Sequence, residues 1–249
     1  PAAAAGLVTL LPAGDTQTRA ALDIARALAV KNPAAALEFI GRLPAGPAQT
    51  LALNNALTGW AATAPAAAGQ YVAALPPGPA QDAAASHLAT LLAREPANAL
   101  AWAQSLPAAT ARAAALVSIA SAWAQTDPAA ATRWASTQPA GATATTALTG
   151  ALSYWLLTDA PAARDFVTAL PAATQPAAAA SIAPQLAQRD PAAALAWAQT
   201  LAAPAAREAA VTAAYTRWLD NTPAAARAWL ATAPLAPELT ARLGASPTP

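Results

Sequence analysis

The chain has no cysteine and no methionine, a single histidine and few charges. Without cysteine there is no disulfide framework and no thiolate metal site. With His87 as the only imidazole, neither a typical zinc site nor a Ser-His-Asp triad can be assembled. His87 also falls in a slot held elsewhere by Ile24, Ile119 and Ile182, which reads as a core or boundary position. Charged residues make up 10% of the chain, as 13 cations and 12 anions scattered singly for a net charge of +1. No basic stripe exists, so nucleic acid finds no electrostatic footprint. Pro, Gly, Thr or a charge interrupts every long apolar run, and none could span a bilayer. The glycines form neither a dinucleotide fingerprint nor a phosphate-binding loop. These absences remove most routes to catalysis. The expectation is a protein that is not an enzyme, with no catalytic residue, no cofactor and no metal.

What the chain has instead is alanine, at 87 of 249 residues, and proline, at 24. Alanine is the strongest helix former, and the prolines are periodic. The sequence Asp190-Pro191-Ala192-Ala193-Ala194-Leu195-Ala196-Trp197 recurs nearly verbatim from Glu95 to Trp102. Taking the proline as an anchor gives Pro33, Pro65, Pro96, Pro128, Pro191 and Pro223, with Ala160 filling the remaining slot. The spacings are then 32, 31, 32, 32, 31 and 32 residues. Such a period marks stacked helical repeats. The fold expected is all-α: an α-solenoid of about seven helix-turn-helix repeats, with a half-repeat at each end.

Each repeat reads as two helices. A short one starts at the anchor, where proline suits the first helical position. The residue before it is a capping type at Asn32, Asp127, Asp159 and Asp190. A Leu-Pro step such as Leu43-Pro44 or Leu106-Pro107 ends it, because the residue before proline leaves helical geometry. Gly46, Gly78 and Gly141 lie in the turns that follow. Longer helices are expected over about 16–30, 48–62, 80–93, 110–125, 143–158, 175–188 and 205–220, from stripes such as Leu53/Leu57/Trp60 and Val211/Tyr215/Trp218. Pro184 should kink the sixth of these or break its ladder. Tryptophan recurs at fixed register in both helices: Trp60, Trp123, Trp155 and Trp218 in the long ones, Trp102, Trp134, Trp197 and Trp229 in the short ones. Packing between layers is the favoured role of this row. Stacking on a ligand is the alternative.

Running the register backwards makes Pro1 an anchor, so that residues 1–12 form a half-repeat, 13–233 seven repeats, and 234–249 a second half-repeat with a tail, all within a single solenoid domain over 1–249. The N-terminal half carries no charge before Asp15. Apolar ends of a solenoid call for a partner. The expected interface places Pro1, Leu7, Leu10 and Leu11 of one copy against Leu235, Leu239 and Leu243 of the next. That is a head-to-tail contact, which propagates as a filament unless it closes. The expected partner is therefore another copy of the chain, with no nucleic acid and no membrane span. The alternative is a monomeric scaffold that binds a protein or peptide on its concave face. Methionine is missing even at position 1, which suggests a mature exported chain, extracellular, at the cell surface or periplasmic. A trimmed sequence would look the same.

The two-helix pattern resembles the tetratricopeptide-like α-solenoid superfamily. More closely, Asp-Pro-x-Ala-Ala-x-x-Trp-x-x-x-Leu-Pro resembles repeats of uncharacterised exported bacterial proteins. This resemblance implies a scaffold and assigns no site residue.

Overall fold

The computed structural model describes residues 8, 11, 14–43 and 46–245. These residues are all-helical, with no strand among them. In chain order the helices are α1 (Asp15–Lys31), α2 (Pro33–Arg42), α3 (Pro47–Thr63), α4 (Pro65–Ala74), α5 (Pro79–Leu92), α6 (Pro96–Ser105), α7 (Ala109–Ala124), α8 (Pro128–Ser136), α9 (Ala142–Thr158), α10 (Ala160–Ala169), α11 (Gln175–Arg189), α12 (Pro191–Thr200), α13 (Pro204–Asn221), α14 (Pro223–Leu230) and α15 (Pro237–Gly244). Odd-numbered helices up to α13 have 14 to 18 residues. Even-numbered ones have 8 to 10. The long helices start and stop within one residue of the spans read from the sequence.

Local chemistry explains the boundaries. The side chain of Asn32 accepts a hydrogen bond from the N–H of Ala35 at 3.1 Å. Asp127, Asp159 and Asp190 do the same for Ala130, Ala162 and Ala193, at 2.9, 3.1 and 3.0 Å. Each bond satisfies one of the free N–H groups at a helix start, a contribution of about 1 kcal/mol. Ala64, Glu95 and Thr222 hold the same slot without a side-chain cap. At the other end Leu43, Leu75, Leu106, Leu170 and Leu201 adopt extended geometry, as a residue before or near proline should. Gly46 and Gly78 precede α3 and α5 with φ of 150° and 148°, which an L side chain rarely adopts. Helix α11 continues through Pro184 to Arg189 and is not broken there.

The chain divides into two compact units, one ending at Trp123 and the other beginning at Ala124. In the first, α1 packs on α3 and α3 on α5, while each helix through α6 also meets its chain neighbour. In the second, α9 packs on α11, α11 on α13 and α13 on α15, again with contacts between chain neighbours. Alanine makes this close stacking possible. Ala52, Ala85, Ala115 and Ala120 in one unit, and Ala151, Ala183, Ala210 and Ala214 in the other, are wholly buried. Larger side chains such as Leu57, Leu88, Leu152 and Ile182 fill the space between them. Of the tryptophans, Trp60 and Trp197 are buried, while Trp102, Trp123, Trp134, Trp155, Trp218 and Trp229 are half-buried. Rings of a long helix lean on those of the following short one. Centroid distances are 5.6 Å for Trp60–Tyr71, 5.2 Å for Trp155–Phe166 and 6.1 Å for Trp218–Trp229, all tilted.

Trp102 of α6 lies directly over Gly69 of α4. A Cβ at Gly69 would sit 2.6 Å from Nε1 and 2.8 Å from Cδ1 of that ring. The indole N–H is buried there without a partner. Glycine inside a helix normally costs about 1 kcal/mol relative to alanine, so its presence in α4 reflects the ring. We predict that Gly69→Ala lowers stability in urea by about 1–2 kcal/mol, overpacking outweighing helix propensity. In a Trp102→Ala background the same substitution should instead raise stability by about 1 kcal/mol. An unchanged sign across the two backgrounds would contradict the packing argument.

Candidate interaction surface

A helix that stops abruptly leaves its last carbonyls without donors. Here the first turn of the next helix supplies them. Gln17 Nε2 donates to the carbonyls of Val8 and Leu11 at 3.3 and 3.0 Å. Gln49 Nε2 donates to Ile40 and Leu43 at 3.1 and 3.4 Å, and Gln81 Nε2 to Val72 and Ala73 at 3.1 and 3.3 Å. In the second unit Gln175 Nε2 reaches Val167 and Thr168 at 3.1 and 2.9 Å. Arginine does the same work at Arg112, bonded to the Leu106 carbonyl at 2.6 Å, and at Arg207, bonded to Leu201 and Ala202. Gln17, Gln81 and Gln175 are buried despite their polarity. Gln49, Gln81, Arg112 and Arg207 follow Pro33, Pro65, Pro96 and Pro191 by 16 residues, and Gln175 follows Ala160 by 15. Ala144 holds the slot after Pro128, and there Gln138 Nε2 donates to the Trp134 carbonyl at 3.1 Å instead. The sequence reading missed this row, although its spacing is legible in a chain so poor in long polar side chains.

A second set of polar groups joins one long helix to the next. In the first unit Thr58 Oγ1 of α3 donates to the Asn54 carbonyl at 2.9 Å and lies 2.9 Å from His87 Nε2 of α5. With the hydroxyl proton directed at Asn54, Nε2 is the nitrogen that carries hydrogen in this pair. The Oδ1 of Asn54 is buried with no hydrogen-bond partner among the described residues. The hydroxyls of Ser86 and Ser118 are 2.6 Å apart, joining α5 to α7, and Thr110 Oγ1 donates to Asp82 at 2.9 Å. In the second unit Gln185 Nε2 of α11 donates to Ser153 Oγ of α9 at 3.0 Å. The exposed large apolar side chains also sit on long helices: Leu51 on α3, and Tyr154 and Leu157 on α9, at 46%, 38% and 66% exposure. Short helices present mainly small side chains to solvent, such as Ala101 and Ala196. The long helices therefore carry hydroxyls, amides and isolated exposed apolar side chains beside charges such as Arg19, Asp82, Arg189 and Arg217.

Of the residues expected to form an end-to-end interface, four are described, and one of them, Leu243, is packed inside its own chain. Pro1, Leu7 and Leu10 lie outside the described residues. Leu11 is half-buried, its carbonyl taken by Gln17. Leu235 and Leu239 are half-buried, and Leu243 is only 2% exposed within its own chain. The exposed positions around these ends include charges, Asp15, Arg19, Asp23 and Arg26 on α1 and Glu238 and Arg242 on α15, alongside small uncharged residues such as Thr16, Ala27, Pro237 and Ala241. Among the described residues no cluster of three or more His, Asp or Glu side chains could hold a metal ion, and no helix is long and apolar enough to cross a membrane.

Two measurements check this account. Gln175→Leu strips the donor from two carbonyls at a buried site and should cost about 1–3 kcal/mol. Gln49→Leu, at a half-buried site where water can substitute, should cost less than about 1 kcal/mol. Equal losses in urea titrations would count against burial as the cause. For His87, burial holds the imidazole below its ordinary value of 6.5, opposed by a hydrogen bond with the Asn54 backbone. The unfolded chain therefore binds a proton more readily than the folded one. Stability should fall as pH drops below about 6.5 and level off once the folded imidazole also titrates. Unfolding midpoints between pH 7 and 5 should show this decline in the native chain and a flatter profile in His87→Ile, the residue found in that slot elsewhere. No protein-family model, curated protein or solved structure matches the chain.

Proposed function

We propose that the chain is an α-solenoid of about seven two-helix repeats of 31–32 residues with a half-repeat at each end, and that it is a non-enzymatic scaffold holding another polypeptide along the exposed face of its long helices. The observation that carries this is the recurrence of one hydrogen-bonding device, a Gln or Arg bridging the end of a short helix to the start of the next long one, at Gln49, Gln81, Arg112, Gln175 and Arg207. A device repeated at the sequence period favours repeats joined in one way along the chain. Gln17, Gln49, Gln81, Gln175, Arg112 and Arg207 are engaged with backbone. What is left for recognition is the run of Thr, Ser, Asn and single large apolar groups on the long helices. A polypeptide, with amides to pair and side chains to seat on Leu51 or Tyr154, suits such a surface better than a charged ligand.

Head-to-tail assembly into a filament is the competing reading. Burial of Leu243 and the exposed charges on α1 and α15 favour the scaffold over it. The repeat architecture has a direct test, because repeats that contact only their neighbours can be removed whole. Deleting residues 96–127, one full period, joins Glu95 to Pro128 and preserves the register. The shortened chain should fold cooperatively with the same helicity per residue. A deletion of half that length should not fold. Failure of both would sink the solenoid. For function, a photo-crosslinking residue at Leu51 or Tyr154 should trap a polypeptide partner in the source cells, and one at Ala101 or Ala196 should not. Growth of large species with concentration in sedimentation velocity would favour the filament instead.

A further inference from the structure

The last helix, α15, is attached more lightly than the long helices of its unit. Internal long helices bury five or six residues each in the second unit, as α9, α11 and α13 do. Helix α15 has eight residues and buries only Leu243. An eight-residue helix has little stability of its own and depends on what it touches. Its contacts include one apolar and one charged. Leu243 is packed inside, with the Leu230 side chain of α14 close to the neighbouring Gly244. Arg242 forms an ion pair with Glu208 of α13, half or more of each side chain facing solvent. Beneath that ion pair lies an open cavity of about 540 Å³. It is lined by Arg242, by Ala180 of α11 and by a stripe of α13, Ala205, Glu208, Ala209, Thr212 and Ala213, spaced as one helical face, with Ala205 and Glu208 exposed and the other three half-buried. The Thr212 hydroxyl lines it, itself buried and without a hydrogen-bond partner.

We propose that α15 is a releasable strap over α13. It opens on its own, with the Arg242–Glu208 pair as the latch and Leu243 as the peg, and its release uncovers the Thr212 stripe while the rest of the unit stays folded. The physical grounds are additive. Few buried groups mean a low cost of local opening. A solvent-facing ion pair is weak and screened by salt. The cavity shows that α15 does not fill the space beside α13, so little dispersion energy is lost when it lifts. Thr212 is a polar atom whose hydrogen bonding improves on opening, since water then reaches it.

The absence of cysteine allows a clean test. Thr212→Cys gives the chain a single thiol under the strap, and Ala214→Cys, at a wholly buried position on the same helix, reports global unfolding. In the full chain the thiol at 212 should react with a thiol reagent much faster than the one at 214. Adding Arg242→Gln, or raising the salt concentration, should speed the reaction at 212 by about two- to fivefold, and Leu243→Ala by at least about tenfold. Circular dichroism and the rate at 214 should stay unchanged by Arg242→Gln. Equal rates at 212 and 214 in every background would overturn the proposal, because opening would then require unfolding. A fast reaction at 212 that ignores both Arg242→Gln and Leu243→Ala would also overturn it, because nothing would be latched. Amide exchange in the unmodified chain gives an independent readout: residues 237–244 should exchange through a salt-sensitive opening well before 206–219, and equal protection of the two would refute the strap.

Discussion

Five short helices among the described residues, α2, α4, α6, α10 and α12, end at an abrupt step out of helical geometry, and the carbonyls they leave behind must find donors in a part of the chain that is nearly all alanine and leucine. That constraint shapes the connection between helices more than any side-chain packing does. A glutamine amide or an arginine guanidinium in the first turn of the next helix reaches back to one or two of those carbonyls. The bond fixes the distance and direction from one helix end to the next helix start. Aspartate or asparagine does the complementary job at the start of the short helix. Between them the two devices define a corner at each end of the short helix, and the positions of the long helices follow.

With the corners fixed, alanine decides how close the helices come. Its small side chain lets backbones approach, and each methyl adds little buried area, so stability must come from many such contacts and from a few large groups. Tryptophan, tyrosine and phenylalanine supply the large groups, leaning across from long helix to short helix. The fit is tight where Trp102 covers Gly69 and looser where α15 covers α13. That contrast separates a region built to stay shut from one built to open. Neighbouring long helices are further tied through Thr58–His87, Ser86–Ser118 and Ser153–Gln185. A surface held by side chain to side chain bonds between helices is preorganised, which reduces the entropy lost on binding.

Much of the fold could be read in advance because the signals were local. Proline after a capping residue starts a helix, Leu-Pro stops one, and the stripe Leu53/Leu57/Trp60 has a helical period; each acts within a few residues. The candidate surface was far less legible. Leu51, Tyr154 and Leu157 look in the sequence like any other apolar residue of a stripe, and only their burial distinguishes them. Leu243 shows the reverse. As part of an apolar chain end it suggested a surface awaiting a partner, whereas it is packed inside its own chain while Glu238 and Arg242 face solvent.

The sequence by itself determined that the chain is helical, where its helices begin and end, and that zinc, disulfide and triad chemistry has no residues to work with, because propensity, capping and residue inventory are properties of short stretches. Tertiary structure alone decided which carbonyls Gln17, Gln81 and Gln175 satisfy, that Trp102 requires a glycine in another helix, and that α15 lies over a cavity beside Thr212. The first depends on how the chain turns between two helices, and the others on distances between residues far apart in the chain. In a sequence this rich in alanine, many alignments of neighbouring helices bury similar area. The choice among them falls to the few polar and aromatic side chains, whose partners become visible only once the helices are stacked.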